Sequence, residues 1–357
     1  DGPLQRVWAV SVGEGSSRDA RLTAPPIIAG GRIYVLDTEA RVRALDVQSG
    51  GTIWDVDLAP EEEDYDAGFG GGIAFENGRI FVSTGYGFIV ALDAGTGAEI
   101  WRHQAETPIR MAPVADGGRV FVATQDNQLL TLAAVVGRVL WDHRGIAETA
   151  GILGSSSVAV SGDLVVVPYT SGELTGIRVP NGRQVWVDSL TRSTQTNAMA
   201  DLTDIAGRPV IDRGFVFATS HSGLFVAIDT RTGGRAWARD VGGVQTPWVA
   251  GDYVYLVSID AQVLCVQRAD GRVKWVQQLP AFEDEEDKDG PIEWAGPVLV
   301  SDRLLLASSR GEMLSLSPYT GEILGQVEIP DGVFIAPVVA NGVVYVLTDN
   351  AELIALK

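Results

Sequence analysis

Residues 91–101 read Ala91-Leu92-Asp93-Ala94-Gly95-Thr96-Gly97-Ala98-Glu99-Ile100-Trp101, and this phrase governs how the chain folds. It is typical of a strand, a tight turn that ends in glycine, and a second strand carrying a tryptophan. Five further copies place a tryptophan four residues after a turn glycine, at Gly50, Gly137, Gly182, Gly233 and Gly271. A copy at Gly321 has Gly325 instead of tryptophan. Repetition every 40–50 residues or so is typical of a propeller or a solenoid.

Each complete repeat contains four strand-like segments, labelled A to D. In the first repeat they are residues 26–29, 32–36, 41–45 and 52–56. The turn between A and B recurs through the chain at Gly31, Gly78, Gly118, Gly162, Gly214, Gly251, Asp302 and Gly342. Short apolar segments joined by glycine turns predict an all-β fold, here an eight-bladed propeller of four-stranded antiparallel blades.

The two ends of the chain look like complementary halves of one repeat. Leu4–Trp8 resembles strand D without its turn, and residues 335–357 contain only the first part of a repeat. We therefore expect the N-terminal strand to complete the last blade and close the ring, because closure removes unpaired sheet edges. This arrangement predicts a single propeller domain over residues 1–357.

The spacing within and between repeats differs. The A–B turn precedes the tryptophan by 23 residues for both Gly31–Trp54 and Gly78–Trp101. From the tryptophan to the next A–B turn, the interval ranges from 14 residues after Trp237 to 28 after Trp186. Length variation thus falls in the D–A segments, which share one face of a propeller with the B–C turns. Binding is expected on this variable face.

The repeated tryptophans and aspartates are expected to be structural. Each indole should pack between neighbouring blades and donate its N–H to a backbone carbonyl. The residues are Trp8, Trp54, Trp101, Trp141, Trp186, Trp237 and Trp275. Asp46, Asp93 and Asp229 precede C–D turns and should accept hydrogen bonds from the turn N–H groups.

Composition excludes several classes of function. The net charge of −19 argues against nucleic-acid binding, which requires a clustered basic surface. Cys265 is the only cysteine, which rules out an internal disulfide and a cysteine-based zinc site. The three histidines lie in different repeats without metal-ligand spacing. We predict no catalytic residues, no metal and no cofactor.

Three other stretches have simple structural interpretations. The glycine-rich residues 68–72 predict a close backbone approach at the start of an inner strand, because they lack the Lys-Ser/Thr ending of a phosphate-binding loop. The acidic residues 61–66 and 283–290 are expected to form solvated loops. The second run partly matches a calcium loop, but its twelfth position is Gly296 rather than a glutamate.

The repeated Ala-Leu-Asp-x-x-Thr-Gly-x-x-x-Trp phrase resembles that of propellers of the pyrroloquinoline-quinone type. Over its whole length the chain is similar to one branch, the BamB family of lipoproteins in the outer-membrane β-barrel assembly machinery. Residues 8–15 match the family's opening phrase, and residues 189–195 and 201–210 match its Ser/Thr-rich and Asp-rich loop. The quinoprotein dehydrogenases are longer and use a vicinal disulfide, which Cys265 alone does not permit.

The resemblance implies a surface that binds POTRA domains of BamA. Its residues would come from two D–A loops of the variable face: Ile152, Leu153, Arg192, Asp201, Thr203 and Asp204. Leu153 stands where the family has an arginine, so one charge-assisted hydrogen bond would be missing. Arg144 and Arg192 are the candidate replacements.

The resemblance further implies a non-enzymatic scaffold at the periplasmic face of the outer membrane, monomeric on its own, with unfolded outer-membrane proteins as further partners. Because Asp1 is not a native start, we expect any signal peptide or lipidation cysteine to have been trimmed from the sequence given, and the trimmed N-terminal lipid anchor to be the only membrane contact. The alternatives are a quinoprotein-type dehydrogenase or ligand sensor, and a propeller that binds another periplasmic protein.

Overall fold

The computed structural model of the protein describes residues 4–61, 68–146, 156–191 and 205–357. In these ranges the regular elements are β-strands, arranged as eight four-stranded antiparallel sheets and one two-stranded hairpin. The fold is the predicted eight-bladed propeller. No helix in these ranges is long and apolar enough to cross a bilayer.

Strands within a blade follow the order A to D from the channel outwards, as neighbours in one sheet. Blades 1 to 4 consist of β2 (Ile27–Ala29), β3 (Arg32–Leu36), β4 (Arg41–Asp46), β5 (Thr52–Asp57); β6 (Gly72–Glu76), β7 (Arg79–Ser83), β8 (Phe88–Asp93), β9 (Glu99–Gln104); β10 (Val114–Asp116), β11 (Arg119–Ala123), β12 (Gln128–Ala133), β13 (Val139–Arg144); β14 (Ala159–Ser161), β15 (Leu164–Pro168), β16 (Glu173–Arg178) and β17 (Gln184–Ser189).

Blades 5 to 7 continue in the same pattern. They consist of β18 (Val210–Asp212), β19 (Phe215–Ser220), β20 (Leu224–Asp229), β21 (Arg235–Arg239); β22 (Trp248–Ala250), β23 (Tyr253–Val257), β24 (Gln262–Gln267), β25 (Val273–Gln278); β28 (Trp294–Val300), β29 (Arg303–Ser308), β30 (Glu312–Leu316) and β31 (Ile323–Glu328). The hairpin of β26 (Phe282–Asp284) and β27 (Asp289–Pro291) lies in the D–A segment after blade 6.

The eighth blade closes the ring as predicted. Its strands are β32 (Val338–Ala340), β33 (Val343–Leu347), β34 (Glu352–Leu356) and, as strand D, the N-terminal β1 (Arg6–Ser11). β1 and β34 are antiparallel, with Ser11 opposite Glu352. Beyond them, Gln5 and Lys357 exchange two backbone hydrogen bonds of 2.9 Å. Both ends of the described chain are therefore fixed in one sheet.

The core lies between the blades. Each of the eight seams between neighbouring blades encloses one cluster of buried apolar side chains. Strands B and C are buried along most of their length, whereas strand D alternates between exposed and covered residues. A continuous apolar run is what a strand packed on both faces requires, and alternation is typical of the outermost strand.

Candidate functional site

The tryptophans of strand D set the distance between neighbouring blades. At six seams the indole N–H donates to a backbone carbonyl at the end of strand C in the next blade. The bonds are Trp54–Ala94 at 3.1 Å, Trp101–Ala134 at 2.9 Å, Trp141–Val179 at 2.9 Å, Trp186–Thr230 at 2.8 Å, Trp237–Arg268 at 2.8 Å and Trp275–Pro318 at 3.0 Å. Trp8 packs at the remaining tryptophan seam, and its indole N–H has no partner among the described residues.

The turn glycine of the repeat phrase lies under the indole of the preceding blade. Gly97 has a φ of 76°, and a Cβ placed on it would lie 2.8 Å from Cε3 of Trp54. A side chain at this position would face both the strain of the left-handed region and a clash with the ring. The glycine and the tryptophan of one phrase therefore serve two different seams.

The aspartates of the C–D turns cap backbone groups, as predicted. Asp93 Oδ1 accepts hydrogen bonds from the N–H of Gly95 at 3.0 Å and of Thr96 at 2.9 Å, and from the Thr96 hydroxyl. Asp46 and Asp229 form the same arrangement. The threonine hydroxyl and the turn N–H groups hold the pKa of Asp93 below its ordinary value, because they stabilise the ionised carboxylate.

The sequence-predicted partner residues fall in two D–A loops. Ile152 and Leu153 belong to residues 147–155, and Arg192, Asp201, Thr203 and Asp204 belong to residues 192–204. All six lie outside the described residues. The structure describes the base of each loop, that is, the residues directly before and after it, which connect the outer strand of one blade to the inner strand of the next.

Asn127 anchors the start of loop 147–155. It is buried at the B–C turn of blade 3 with a φ of 61°, a conformation that asparagine adopts more readily than most residues. Its side-chain amide donates to the carbonyl of Ile146 at 2.6 Å. Its Oδ1 accepts from the backbone N–H of Thr170 at 3.1 Å in blade 4. One side chain thus ties together two blades and the first loop.

A histidine and a tyrosine pack beside the same base. His143 Nδ1 lies 2.8 Å from the Tyr169 hydroxyl, and their rings stack with centroids 6.1 Å apart. Burial raises the pKa of Tyr169, since the phenolate would lose its hydration. Ile146, the last described residue before the loop, is 59% exposed. The loop therefore leaves a rigid base with an apolar side chain open to solvent.

Two serines fix the start of loop 192–204. The carbonyl of the fully buried Leu190 accepts hydrogen bonds from the hydroxyls of Ser220 at 2.9 Å and Ser222 at 2.8 Å. The N–H of Leu190 donates to the carbonyl of Gly172 at 2.8 Å. Between the serines, half-buried His221 has its pKa lowered by burial, so the neutral imidazole is favoured here.

The two loops return to the sheet side by side. Ser156, directly after the first loop, donates its hydroxyl to the carbonyl of Ile205, directly after the second, at 3.3 Å. Ser157 donates to the carbonyl of Ala112 at 2.8 Å, which fixes the first loop's exit to blade 3. Nothing in the sequence indicated this contact, because its two partners are 49 positions apart in the chain. The described residues that follow the two predicted docking loops therefore lie next to each other.

Arg144 lies near this region, at the outer end of β13. Its guanidinium is 57% exposed and lies 3.7 Å from both the Glu106 and the Asp126 carboxylates. Ion pairs of this kind between exposed groups contribute little and exchange readily. Arg144 is therefore available for a partner carboxylate, whereas Arg192 lies outside the described residues.

The acidic run at 283–290 is exposed as expected, but it forms the β26–β27 hairpin rather than an irregular loop. Glu285, the first position of the calcium-like pattern, accepts a hydrogen bond from the N–H of Ala281 at 2.8 Å. Asp284 caps Glu286 and Asp287 in the same way. Across the described residues, no three acidic, histidine or cysteine side chains converge as metal ligands. Residues 62–66 of the other acidic run lie outside the described ranges.

The glycine-rich residues 68–72 make the predicted close backbone approach. A Cβ on Gly71 would lie 2.0 Å from the carbonyl oxygen of Ser83, and one on Gly72 would lie 2.5 Å from Cβ of Ala112. Gly72 begins β6, the inner strand of blade 2. The glycines let neighbouring inner strands crowd around the channel.

Comparison with known proteins gives one consistent family. The sequence model described as "Outer membrane protein assembly factor BamB" matches residues 38–277 and 284–357. The protein of that name from Shigella dysenteriae is 30% identical over 339 residues, which cover 94% of this chain and 84% of the relative. The one from Salmonella typhimurium is 28% identical over 354 residues, covering 98% of this chain and 88% of the relative.

Solved structures share the fold. BamB from Moraxella catarrhalis superposes with a TM-score of 0.83 at 17% identity, over 99% of this chain and 100% of that one. A quinohemoprotein alcohol dehydrogenase from Comamonas testosteroni reaches 0.74 at 15% identity, over 99% of this chain and 76% of that one. The sequence relatives are named as assembly factors, not as enzymes, which agrees with the expectation of a non-enzymatic protein.

Proposed function

Because the chain belongs to the family of the outer membrane protein assembly factor BamB, we propose that it is a scaffold that binds BamA-type POTRA domains through loops 147–155 and 192–204. The observation that supports this proposal is the Ser156–Ile205 hydrogen bond, which joins the exits of the two loops. Two short loops on adjacent rigid bases can present one continuous surface at a low cost in conformational entropy.

The proposed contacts divide by chemistry. Ile152, Leu153 and the exposed Ile146 would supply the apolar centre of the surface, and Asp201, Thr203 and Asp204 would supply hydrogen-bond acceptors. Arg144 or Arg192 would provide the cation that Leu153 does not. An apolar centre with polar groups around it is the usual composition of a protein–protein interface.

The same proposal covers location and organisation. We place the protein at the periplasmic face of the outer membrane, held by an N-terminal lipid anchor, as a monomer with unfolded outer-membrane proteins as further partners. Residues 1–357 would act as one domain, since β1 and β34 belong to the same blade. A closed ring of this kind holds its loops in fixed relative positions.

Calorimetric titration with the POTRA region of the cognate BamA tests the proposal. We expect saturable binding by the wild type, and weakening of about tenfold or more with Asp201→Arg or Ile152→Asp. Arg183→Glu, an exposed change in the C–D turn of blade 4 on the opposite face, is the matched control and should bind normally. Absence of wild-type binding at tens of micromolar would rule the proposal out.

A thermal-shift measurement separates the scaffold from the quinoprotein alternative. A ligand that binds only the folded state must raise the melting temperature. We expect no shift when pyrroloquinoline quinone and calcium are added together. A concentration-dependent rise would favour a ligand site in the channel instead.

A further inference from the structure

The seam between blades 7 and 8 lacks the aromatic packing found elsewhere. In blade 6 the residues Tyr255, Cys265 and Trp275 lie side by side on strands B, C and D. The same row in blade 7 is Leu305, Ser315 and Gly325. Blade 7 therefore keeps the small residue on strand C but has neither the ring on strand B nor the indole on strand D.

The topology of ring closure explains why the indole is missing. At the preceding seam, the indole of Trp275 bonds to the carbonyl of Pro318 at 3.0 Å and lies over Gly321, both in the C–D turn of blade 7. In blade 8, strand C is β34 and strand D is β1, so no C–D turn connects them. Among the described residues, an indole at position 325 would therefore find neither the turn carbonyl nor the turn glycine that the other indoles contact.

The vacated space is a groove of about 750 Å³. Its apolar lining includes Leu4, Leu305, Met313, Val327 and Val344, and Gly325 also lines it. A Cβ on Gly325 would meet only the Ser315 hydroxyl, at 3.4 Å. This volume falls within the range of about 300–1,000 Å³ that is typical of ligand sites.

Two cations without partners lie at the same groove. In blade 1, Arg32 donates to the carbonyls of Ala94 and Gly95 in the next blade's C–D turn, at 2.7 and 2.8 Å. Arg303 begins strand B of blade 7 just as Arg32 does in blade 1, but the turn that would receive it is absent. Among the described residues, neither the Arg303 guanidinium nor the Lys357 ammonium has a hydrogen-bond or ion-pair partner, and both line the groove.

We propose that this groove binds a segment of a partner polypeptide in which an aromatic side chain is flanked by acidic residues. The ring fills the space that an indole of this chain fills at the seven other seams, and the carboxylates face Arg303 and Lys357. Charge complementarity is informative here, because a chain with a net charge of −19 otherwise repels acidic segments. A phenyl ring suits the site, since the described residues offer no carbonyl in the turn position for an indole N–H.

The groove lies away from the two docking loops. Its lining includes Ser301 and Gly342, which belong to A–B turns, whereas the described residues on either side of the two loops belong to D–A segments. Binding at the groove is therefore independent of binding at loops 147–155 and 192–204, and either can fail without the other.

Fluorescence anisotropy with a labelled peptide of central sequence Asp-Phe-Asp tests the proposal on the full chain. We expect saturable binding by the wild type that weakens about tenfold or more with Gly325→Trp, which fills the groove, and with Arg303→Glu, which reverses its charge. Peptides with central Asp-Ala-Asp or Lys-Phe-Lys should bind at least about tenfold more weakly. Gly234→Trp, which adds an indole at an exposed C–D turn of blade 5, is the matched control and should bind normally.

Several outcomes would overturn the proposal. These are a wild-type Kd weaker than about 1 mM, equal affinity for the alanine or lysine peptide, or unchanged affinity in Arg303→Glu. Circular dichroism checks the folding of Gly325→Trp. Should that variant fail to fold, Arg303→Glu decides the outcome, because the Arg303 side chain is partly exposed and has no hydrogen-bond or ion-pair partner among the described residues.

Discussion

At the turn glycines that lie under an indole, the absence of a side chain allows two blades to pack against each other. Gly97 and Gly118 have nearly equal φ values of 76° and 75°, but only Gly97 lies against an indole. Gly118→Ala should cost about 1–2 kcal/mol through backbone strain alone. Gly97→Ala should cost a further 1–3 kcal/mol or so, because its methyl group would overlap the ring of Trp54. Urea denaturation measures both, and equal losses would show that the glycine is needed only for its φ.

The capping aspartates should make the free energy of unfolding depend on pH in the acid range. Hydrogen bonds hold the pKa values of Asp46, Asp93 and Asp229 below their ordinary value. A carboxyl group with a lowered folded pKa contributes stability above its unfolded pKa of about 3.9, and this contribution is lost as the pH falls through the folded pKa.

The triple variant Asp46→Asn, Asp93→Asn, Asp229→Asn should therefore be less stable than wild type at neutral pH, because an amide oxygen accepts more weakly than a carboxylate. It should also lose less stability between about pH 5 and pH 2. Urea midpoints measured across this range check the prediction. Parallel pH curves for the two proteins would contradict it.

At the scale of the strand, the seams are the elements that hold the blades together. Trp101 and Trp8 both lie against a glycine of the next blade and pack near an aromatic ring on strand B of their own blade, Phe81 and Tyr345 respectively. They differ in that Trp101 donates its N–H to the carbonyl of Ala134 at 2.9 Å, whereas Trp8 has no such bond among the described residues.

Replacing each of these tryptophans with phenylalanine should isolate that hydrogen bond. Trp101→Phe should destabilise the protein by about 0.5–1.5 kcal/mol more than Trp8→Phe, because it leaves a carbonyl at the seam without its donor. Chemical denaturation of both variants provides the measurement. Equal losses would mean that ring packing alone stabilises the seams.

The blades could be counted from the sequence because two residues of the repeat phrase have the same structural role in each copy. The turn glycine lies under an indole, and the tryptophan packs against the next blade. The same reasoning could not explain why Gly325 stands in place of the tryptophan, since the reason lies in the next blade, where no C–D turn joins β34 to β1. The β26–β27 hairpin was also beyond prediction, because its acidic residues have low strand propensity. Likewise, spacing could not predict that the exits of the two docking loops share a hydrogen bond, because the contact depends on how the blades pack.

At the scale of the whole molecule, the pairing of β1 with β34 closes the ring of blades. Ser11 lies opposite Glu352 at the end of this ladder, and a disulfide between them would join positions that are 341 apart in the chain. Cross-linking restricts the unfolded chain far more than the folded one, in which the two positions are already neighbours. We expect Ser11→Cys with Glu352→Cys to raise the free energy of unfolding by about 2–5 kcal/mol under oxidising conditions.

Urea denaturation of this double variant with and without reductant measures the effect, and each single cysteine variant is a control. The native Cys265 should not interfere, because burial raises the pKa of its thiol to about 11 and keeps it protonated. The gain should disappear on reduction and be absent from both single variants. If the oxidised double variant were no more stable than the reduced one, the two strands would have to separate before the blades unfold, and the ring would open without loss of the fold. If the oxidised double variant is more stable than the reduced one, the β1–β34 pairing belongs to the cooperative unit that unfolds with the rest of the propeller.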